Sequence, residues 1–296
     1  MSFFLVQRTI RRIPVKSKFL PYYLIAPVTL FLLCFFVYPF LLVASQAFSS
    51  GGDGYSFDNF SEILSYWKFP ISLKNTLLLA AAVVPVQVAL ALLMATMVNR
   101  MEKGRDMVLY IWTIPLAISD LAAGIIWLAI FEQSGFLNSM MHALGVIDKP
   151  MNLLSYQNMG MVFLAIALAE IWRATAIMMV ILVAGIGLIP KEYYEAAEVF
   201  GASPWKRFTK ITLPLLRPSL QTALLLRVIL AFEIFAVVAA LGGTLFPVLM
   251  GQTYEYQFDL LNSGAASAMA LVILAISIAF TIVIMRSLRV PKGIQI

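Results

Sequence analysis

An all-α integral membrane protein with about six transmembrane helices is the fold class that the sequence predicts. Hydrophobic residues fill 61% of the 296 positions and charged residues only 12%, against about half and about a quarter in an average soluble domain. Mean hydropathy is +0.91. A surface facing water needs more polar groups than this chain has, whereas lipid removes that requirement. Apolar runs long enough to span a bilayer recur along the chain, and basic residues gather in alternate connections between them.

A helix needs about 20 apolar residues to cross ~30 Å of hydrocarbon. Six segments qualify, at 20–46, 75–99, 107–131, 160–186, 215–240 and 265–288. They make one permease domain over 20–288, between an N-terminal tail, 1–19, and a C-terminal tail, 289–296. The first segment is too long for a signal peptide and no small-residue cleavage site closes it, so it reads as a retained helix. Pro27, Pro39, Pro85 and Pro115 interrupt spans, where each removes a backbone donor and favours a kink. No internal repeat relates the two halves, which argues against a transporter built from inverted repeats.

The formal net charge is +6. Sixteen of the 21 basic residues lie in the N-terminal tail, the second connection, the fourth connection and the C-terminal tail. The tails contribute Arg8, Arg11, Arg12, Lys16, Lys18, Arg286, Arg289 and Lys292. The first, third and fifth connections hold only Lys68, Lys74 and Lys149. This alternation places both termini in the cytoplasm of a multi-pass protein of the cell membrane. The charge therefore reads as topology, with the lipid bilayer as partner and no nucleic acid, since no soluble domain carries a basic patch. Cys34 lies alone in an apolar run and His142 alone in a polar connection. No disulfide or Cys/His metal site can be assembled from them.

The fourth connection, 187–216, is the longest cytoplasmic one. Pro190 suits a first helical turn, and Glu192 and Glu195 follow near the positive end of the helix dipole. Gly201 is placed for a left-handed C-terminal cap. Ser203 then serves as an N-cap with Pro204 in the next first turn, and Pro214 closes that second helix. A connection so ordered reads as a docking surface, against the plainer alternative of an amphipathic connector.

Glu195-Ala196-Ala197, Gly201, Ile211 and Leu213-Pro214 stand at the spacing of the EAA motif. The chain thus resembles the membrane subunits of binding-protein-dependent ABC importers. Leu24-Ile25-Ala26-Pro27, Tyr38-Pro39, Asp58-Asn59-Phe60, Val84-Pro85-Val86-Gln87, Gly124-Ile125-Ile126-Trp127 and Gly135-Phe136-Leu137-Asn138 are similar to carbohydrate permeases of the MalF type. The long periplasmic insertion of some maltose permeases is missing. The resemblance implies the ABC importer permease fold with a cytoplasmic coupling helix. It implies as partners a second, MalG-like permease subunit in a heterodimer, two ATP-binding cassette ATPase subunits and an extracytoplasmic sugar-binding protein. The chain lacks a phosphate-cradling Gly-Lys-Ser/Thr loop. It is not read as an enzyme: it holds no cofactor, and ATP and Mg belong to the partner subunits.

Five charged residues fall inside predicted spans away from their ends: Asp120, Glu170, Arg173, Arg227 and Glu233. Each costs roughly 2.5–3.5 kcal/mol at a helix centre on insertion scales, so such groups face a bundle interior or a cavity. Glu170 and Arg173 share a helix face, as do Arg227, Ala231 and Ile234. The resemblance implies sugar contacts from the spans on either side of the coupling loop. It places Glu170, Ala174, Ile177, Arg227, Ala231 and Ile234 there, with Arg173 beside them; Glu233 joins the candidate substrate contacts as an intramembrane charge. Mutual neutralisation between helices is the alternative for the charged members. Ala231 stands where maltose permeases present polar amides, and the run Glu170-Ile171-Trp172-Arg173 looks more like permeases of glucose or trehalose type. A sugar alcohol, glycerol phosphate or amino acid remains open as substrate, as does, from another class, a secondary transporter without ATPases.

Overall fold

The computed structural model describes residues 19–49 and 54–288. The basic N-terminal cluster, Arg289, Lys292 and the rest of the predicted C-terminal tail lie outside the described residues. Two compact units divide at Gln46 and Ala47. The first is built on α1, Leu20–Ala47, whose ladder widens into a π turn over Leu33–Val37.

The second unit begins with a short amphipathic helix α2, Asp58–Ser65, and then α3, Phe69–Arg100. Next come α4, Arg105–Thr113, a 3-10 turn at Ile114–Ala117, α5, Asp120–Phe131, and α6, Phe136–Ala143. Helix α7, Met159–Gly187, leads into α8, Lys191–Val199. Then follow α9, Pro204–Leu215, α10, Arg217–Phe232, α11, Ala236–Leu241, α12, Leu249–Tyr254, and α13, Ser263–Ser287. Among the described residues, five helices are long and apolar enough to cross a membrane, or six when α9 and α10, bent by 68°, count as one span.

Two predicted spans are broken. In the third, Pro115 sits in the 3-10 turn, and Ser119 restarts the helix by accepting a hydrogen bond from the Ala122 amide at 3.2 Å. The candidate span there is Asp120–Ala143, made of α5 and α6, rather than 107–131. In the fifth, the helix stops at Phe232, and Phe235 takes φ −140 and ψ −61 before α11 begins. The predicted 215–240 therefore holds two helices. Its 233–235 break is as apolar as its flanks apart from Glu233, so hydropathy does not register it.

Helices α3 and α7 pack along most of their length, with α10 against both. Their apolar contacts form two clusters. One contains Leu79, Val83, Ile166, Ala169, Phe232 and Leu249, all buried. The other contains Ala91, Ala95, Met179, Leu182, Leu216 and Ala223. Small residues permit close approach: a Cβ on Gly185 would lie 2.2 Å from Ser219 Oγ on α10, and one on Gly124 would lie 2.6 Å from Ala240 Cβ on α11.

Candidate functional site: a buried polar layer and a capped cytoplasmic helix

Between the two apolar clusters, α3, α7 and α10 each contribute a polar side chain at the same level. Glu170 of α7 is 1% exposed and Arg227 of α10 is 0% exposed. Arg227 Nη2 donates to Glu170 Oε2 at 3.0 Å. Arg227 Nε donates to Gln87 Oε1 of α3. Gln87 Nε2 donates to the Glu170 backbone carbonyl at 2.8 Å. Three helices are thereby tied at one height. Burial of an ionised pair is tolerable here because each charge meets its opposite and further hydrogen bonds.

The chain of charges continues outward. Arg173 Nη2 lies 3.6 Å from Glu170 Oε1, and its Nη1 lies 2.8 Å from Asp120 Oδ1. Asp120 opens α5, where a carboxylate complements the positive dipole end. Two guanidinium groups face two carboxylates, so the layer is formally neutral. Arg227 Nη1 and Arg173 Nε are buried without a hydrogen-bond partner.

The residues predicted to contact substrate separate accordingly. Glu170, Arg173 and Arg227 come together. Ala174 and Ala231 are buried beside them at 4% and 0% exposure. Ile177 is half-buried against the second apolar cluster. Ile234 is buried, but it does not share a helix face with Arg227 and Ala231, because α10 ends two residues before it. Glu233 caps the end of α10, is exposed and stands outside the polar layer. Gln87 is the member that the list of charged residues misses. Its signal is a lone amide two residues after Pro85 inside an apolar run.

At the other end of α7, the loop turns through Pro190 into α8. The α8 C-terminus closes by a pair of bonds: the Ala202 amide donates to the Ala197 carbonyl and the Gly201 amide to the Glu198 carbonyl, both at 2.9 Å. This closure puts Gly201 at φ +70, a region that favours glycine. No atom would meet a Cβ there, so glycine is required by backbone conformation and not by space. Ser203 accepts from the Lys206 amide at 3.3 Å and starts α9, with Pro204 in the first turn.

Two side-chain ties fix α8 to α9. Tyr194 Oη and Thr212 Oγ1 are 3.0 Å apart, and Arg207 Nη1 donates to Glu198 Oε2 at 3.2 Å. Glu195 and Ala196 are exposed, Ala197 is half-buried, and Val199 and Phe200 project at 86% and 88% exposure. Ile211, Leu213 and Pro214 are half-buried in α9. That helix runs one residue past Pro214, through a π turn at Phe208–Thr212, and bends at Leu216. The π turn lies where Pro214 lacks an amide to continue the ladder. A cavity of about 630 Å³ lies beneath α8, lined by Thr96, Asn99, Arg100, Tyr194, Glu198 and Arg207 among others.

Known proteins resemble this chain over most of its length. A Bacillus subtilis protein described as a probable ABC transporter permease is 32% identical over 92% of this chain and 91% of its own length. The trehalose/maltose transport permease MalF of Thermococcus litoralis is 33% identical over 77% of each chain. The sn-glycerol-3-phosphate permease UgpA of Agrobacterium fabrum is 30% identical over 90% of this chain and 93% of its own. A chain from the crystal structure of a bacterial ABC transporter that imports the acidic polysaccharide alginate shares the fold. Its TM-score is 0.78 at 23% identity, with 93% of this chain and 96% of that chain covered. Residues 87–289, more than half of the sequence, match the binding-protein-dependent transport system inner membrane component family. The chain belongs to that family, as a multi-pass ABC importer permease.

Proposed function

We propose that this chain is half of the translocation path of an ATP-driven importer for a neutral carbohydrate delivered by an extracytoplasmic binding protein. A second permease subunit, MalG-like, supplies the other half. Two ATPase subunits bind and hydrolyse ATP with Mg, and grip α8 through Glu195, Ala196, Ala197 and the apolar tip at Val199 and Phe200. Both termini are cytoplasmic in this reading, as the distribution of basic residues implies.

The observation that carries the reading is how α8 is fastened: a glycine-specific cap at one end and two side-chain ties to α9. A helix held in this way transmits displacement instead of absorbing it. The Leu216 amide donates to the Thr212 carbonyl and the Leu220 amide to the Leu216 carbonyl, so backbone bonds carry across the bend into α10, and so to the polar layer. A carbohydrate is supported by the trehalose/maltose relative and by the neutrality of that layer, where Glu170 and Asp120 already oppose both guanidinium groups. Glu170, Arg173 and Arg227, with Ala174, Ile177, Ala231 and Ile234 around them, form the inner substrate site once the path opens. Glu233, exposed at the end of α10, reaches substrate only at the rim.

The anionic reading draws on the sn-glycerol-3-phosphate relative and on the unpartnered Arg227 Nη1. Uptake assays separate the two. Import of trehalose, maltose or glucose unaffected by excess sn-glycerol 3-phosphate supports the neutral substrate, and phosphate-dependent import overturns it. For the lever, Gly201→Val in the assembled transporter is expected to lower ATP-coupled uptake at least tenfold while leaving membrane insertion intact. Full uptake by that variant sinks the coupling role. A cross-linker on Ala197→Cys is expected to capture an ATPase subunit.

A further inference from the structure

A second cavity, of about 290 Å³, lies on the opposite side of the molecule from α8, where α3 begins and α12 ends. Gln252 of α12 lines it. That residue is 1% exposed, yet both its Nε2 and its Oε1 lack a hydrogen-bond partner. Buried amides are almost always satisfied, so an amide with both ends free beside a cavity points to something that occupies the cavity.

The rest of the lining is built. Lys68 Nζ donates to Glu255 Oε1 at 2.6 Å, and this bond holds the lysine ammonium above its ordinary pKa of 10.5. A raised lysine pKa means that the tie contributes fully below the ordinary value and is lost only as pH rises through the raised one. Asp259 adds a second carboxylate to the wall. Phe235 and Tyr254 also line the cavity, with ring centroids 5.0 Å apart. The wall is anchored to α3: Asn75 Nδ2 donates to the Pro247 carbonyl at 2.9 Å, and the Leu249 amide donates to Thr76 Oγ1 at 3.1 Å.

We propose that this cavity is an outer carbohydrate subsite, which holds one neutral pyranose ring before the ring reaches the buried polar layer. The amide offers a donor and an acceptor together, which suits a ligand whose hydroxyls are both. One ammonium against two carboxylates disfavours an anion. Aromatic side chains supply apolar surface for the C–H faces of a ring. The volume is at the low end of small-molecule sites, ~300–1,000 Å³, and so fits one ring rather than a chain. That the cavity opens outside the cell rests on the importer reading above; its ligand chemistry does not.

Saturation-transfer NMR tests the subsite on the complete transporter in nanodiscs, without binding protein or nucleotide. The probes are D-glucose, trehalose and maltose, with sn-glycerol 3-phosphate as the anionic comparison. At least one sugar is expected to receive saturation on its ring protons. Gln252→Leu, which keeps the buried volume, is expected to weaken binding at least tenfold. Ala239→Leu, which fills the cavity from an exposed position, is expected to do the same. No transfer to any of the three sugars overturns the subsite, as does transfer unchanged in both variants, which would mean that Gln252 is merely hydrated. Uptake by the same complex with its binding protein is read separately. Sugar import without outer binding removes the subsite and leaves the importer. Variant-sensitive binding without sugar import does the reverse.

Discussion

Arg227 is the largest fully buried side chain of the described residues, and Glu170 is its counter-charge. Removing one member of a buried pair leaves the other unopposed, which costs about 3–5 kcal/mol in soluble proteins. Glu170→Leu and Arg227→Met are each expected to lower the midpoint of thermal unfolding in nanodiscs clearly. The double variant Glu170→Leu/Arg227→Met is expected to recover part of that loss, since two apolar groups need no partner while Gln87 Oε1 loses its donor. An additive loss would show that the pair is not the stabilising unit. The sequence makes Glu170, Arg173 and Arg227 conspicuous because charge is rare in an apolar run. It does not make their partners conspicuous: Gln87 meets Arg227 across 140 positions and carries no charge of its own. The exposed Glu233 was equally opaque, because only the unforeseen end of α10 places it outside the bundle interior.

Helix ends set by local chemistry are legible; helix ends set by packing are not. The α8 cap at Gly201 and the α9 start at Ser203 and Pro204 stand where capping rules put them, since each depends on a few adjacent residues. The break after Phe232 follows from contacts that α11 makes with α5 and has no local marker. The close approach of α7 and α10 is likewise a tertiary fact. It turns on Gly185, where any side chain meets Ser219 and Leu216 within 3 Å. Gly185→Val is therefore expected to force those two helices apart. Overpacking of this kind costs about 1–3 kcal/mol, read as a lower unfolding midpoint. The same substitution at Gly187, where a Cβ meets nothing, is expected to have a far smaller effect.

Across the second unit, the two apolar clusters are joined through one polar layer, with α3, α7 and α10 running through all three. If α8 is gripped as proposed, motion imposed on α8 and α9 meets that layer on the way along α10. In the assembled transporter, the double variant Glu170→Leu/Arg227→Met is expected to keep ATP hydrolysis while its uptake per ATP falls several-fold even at saturating sugar, where weakened binding at the inner site no longer limits uptake, measured on the same proteoliposomes. Unchanged uptake per ATP would show that the layer has no part in coupling.

The geometry of that layer also limits what kind of motion is cheap. Sliding α10 along its neighbours by a single residue moves Arg227 by ~1.5 Å, enough to pull its guanidinium off both Glu170 and Gln87. Tilting α10 about that height leaves both contacts nearly unstretched. On the proposed import function, the three side chains then act as a fulcrum pin: a swing inward at one membrane face becomes a swing outward at the other.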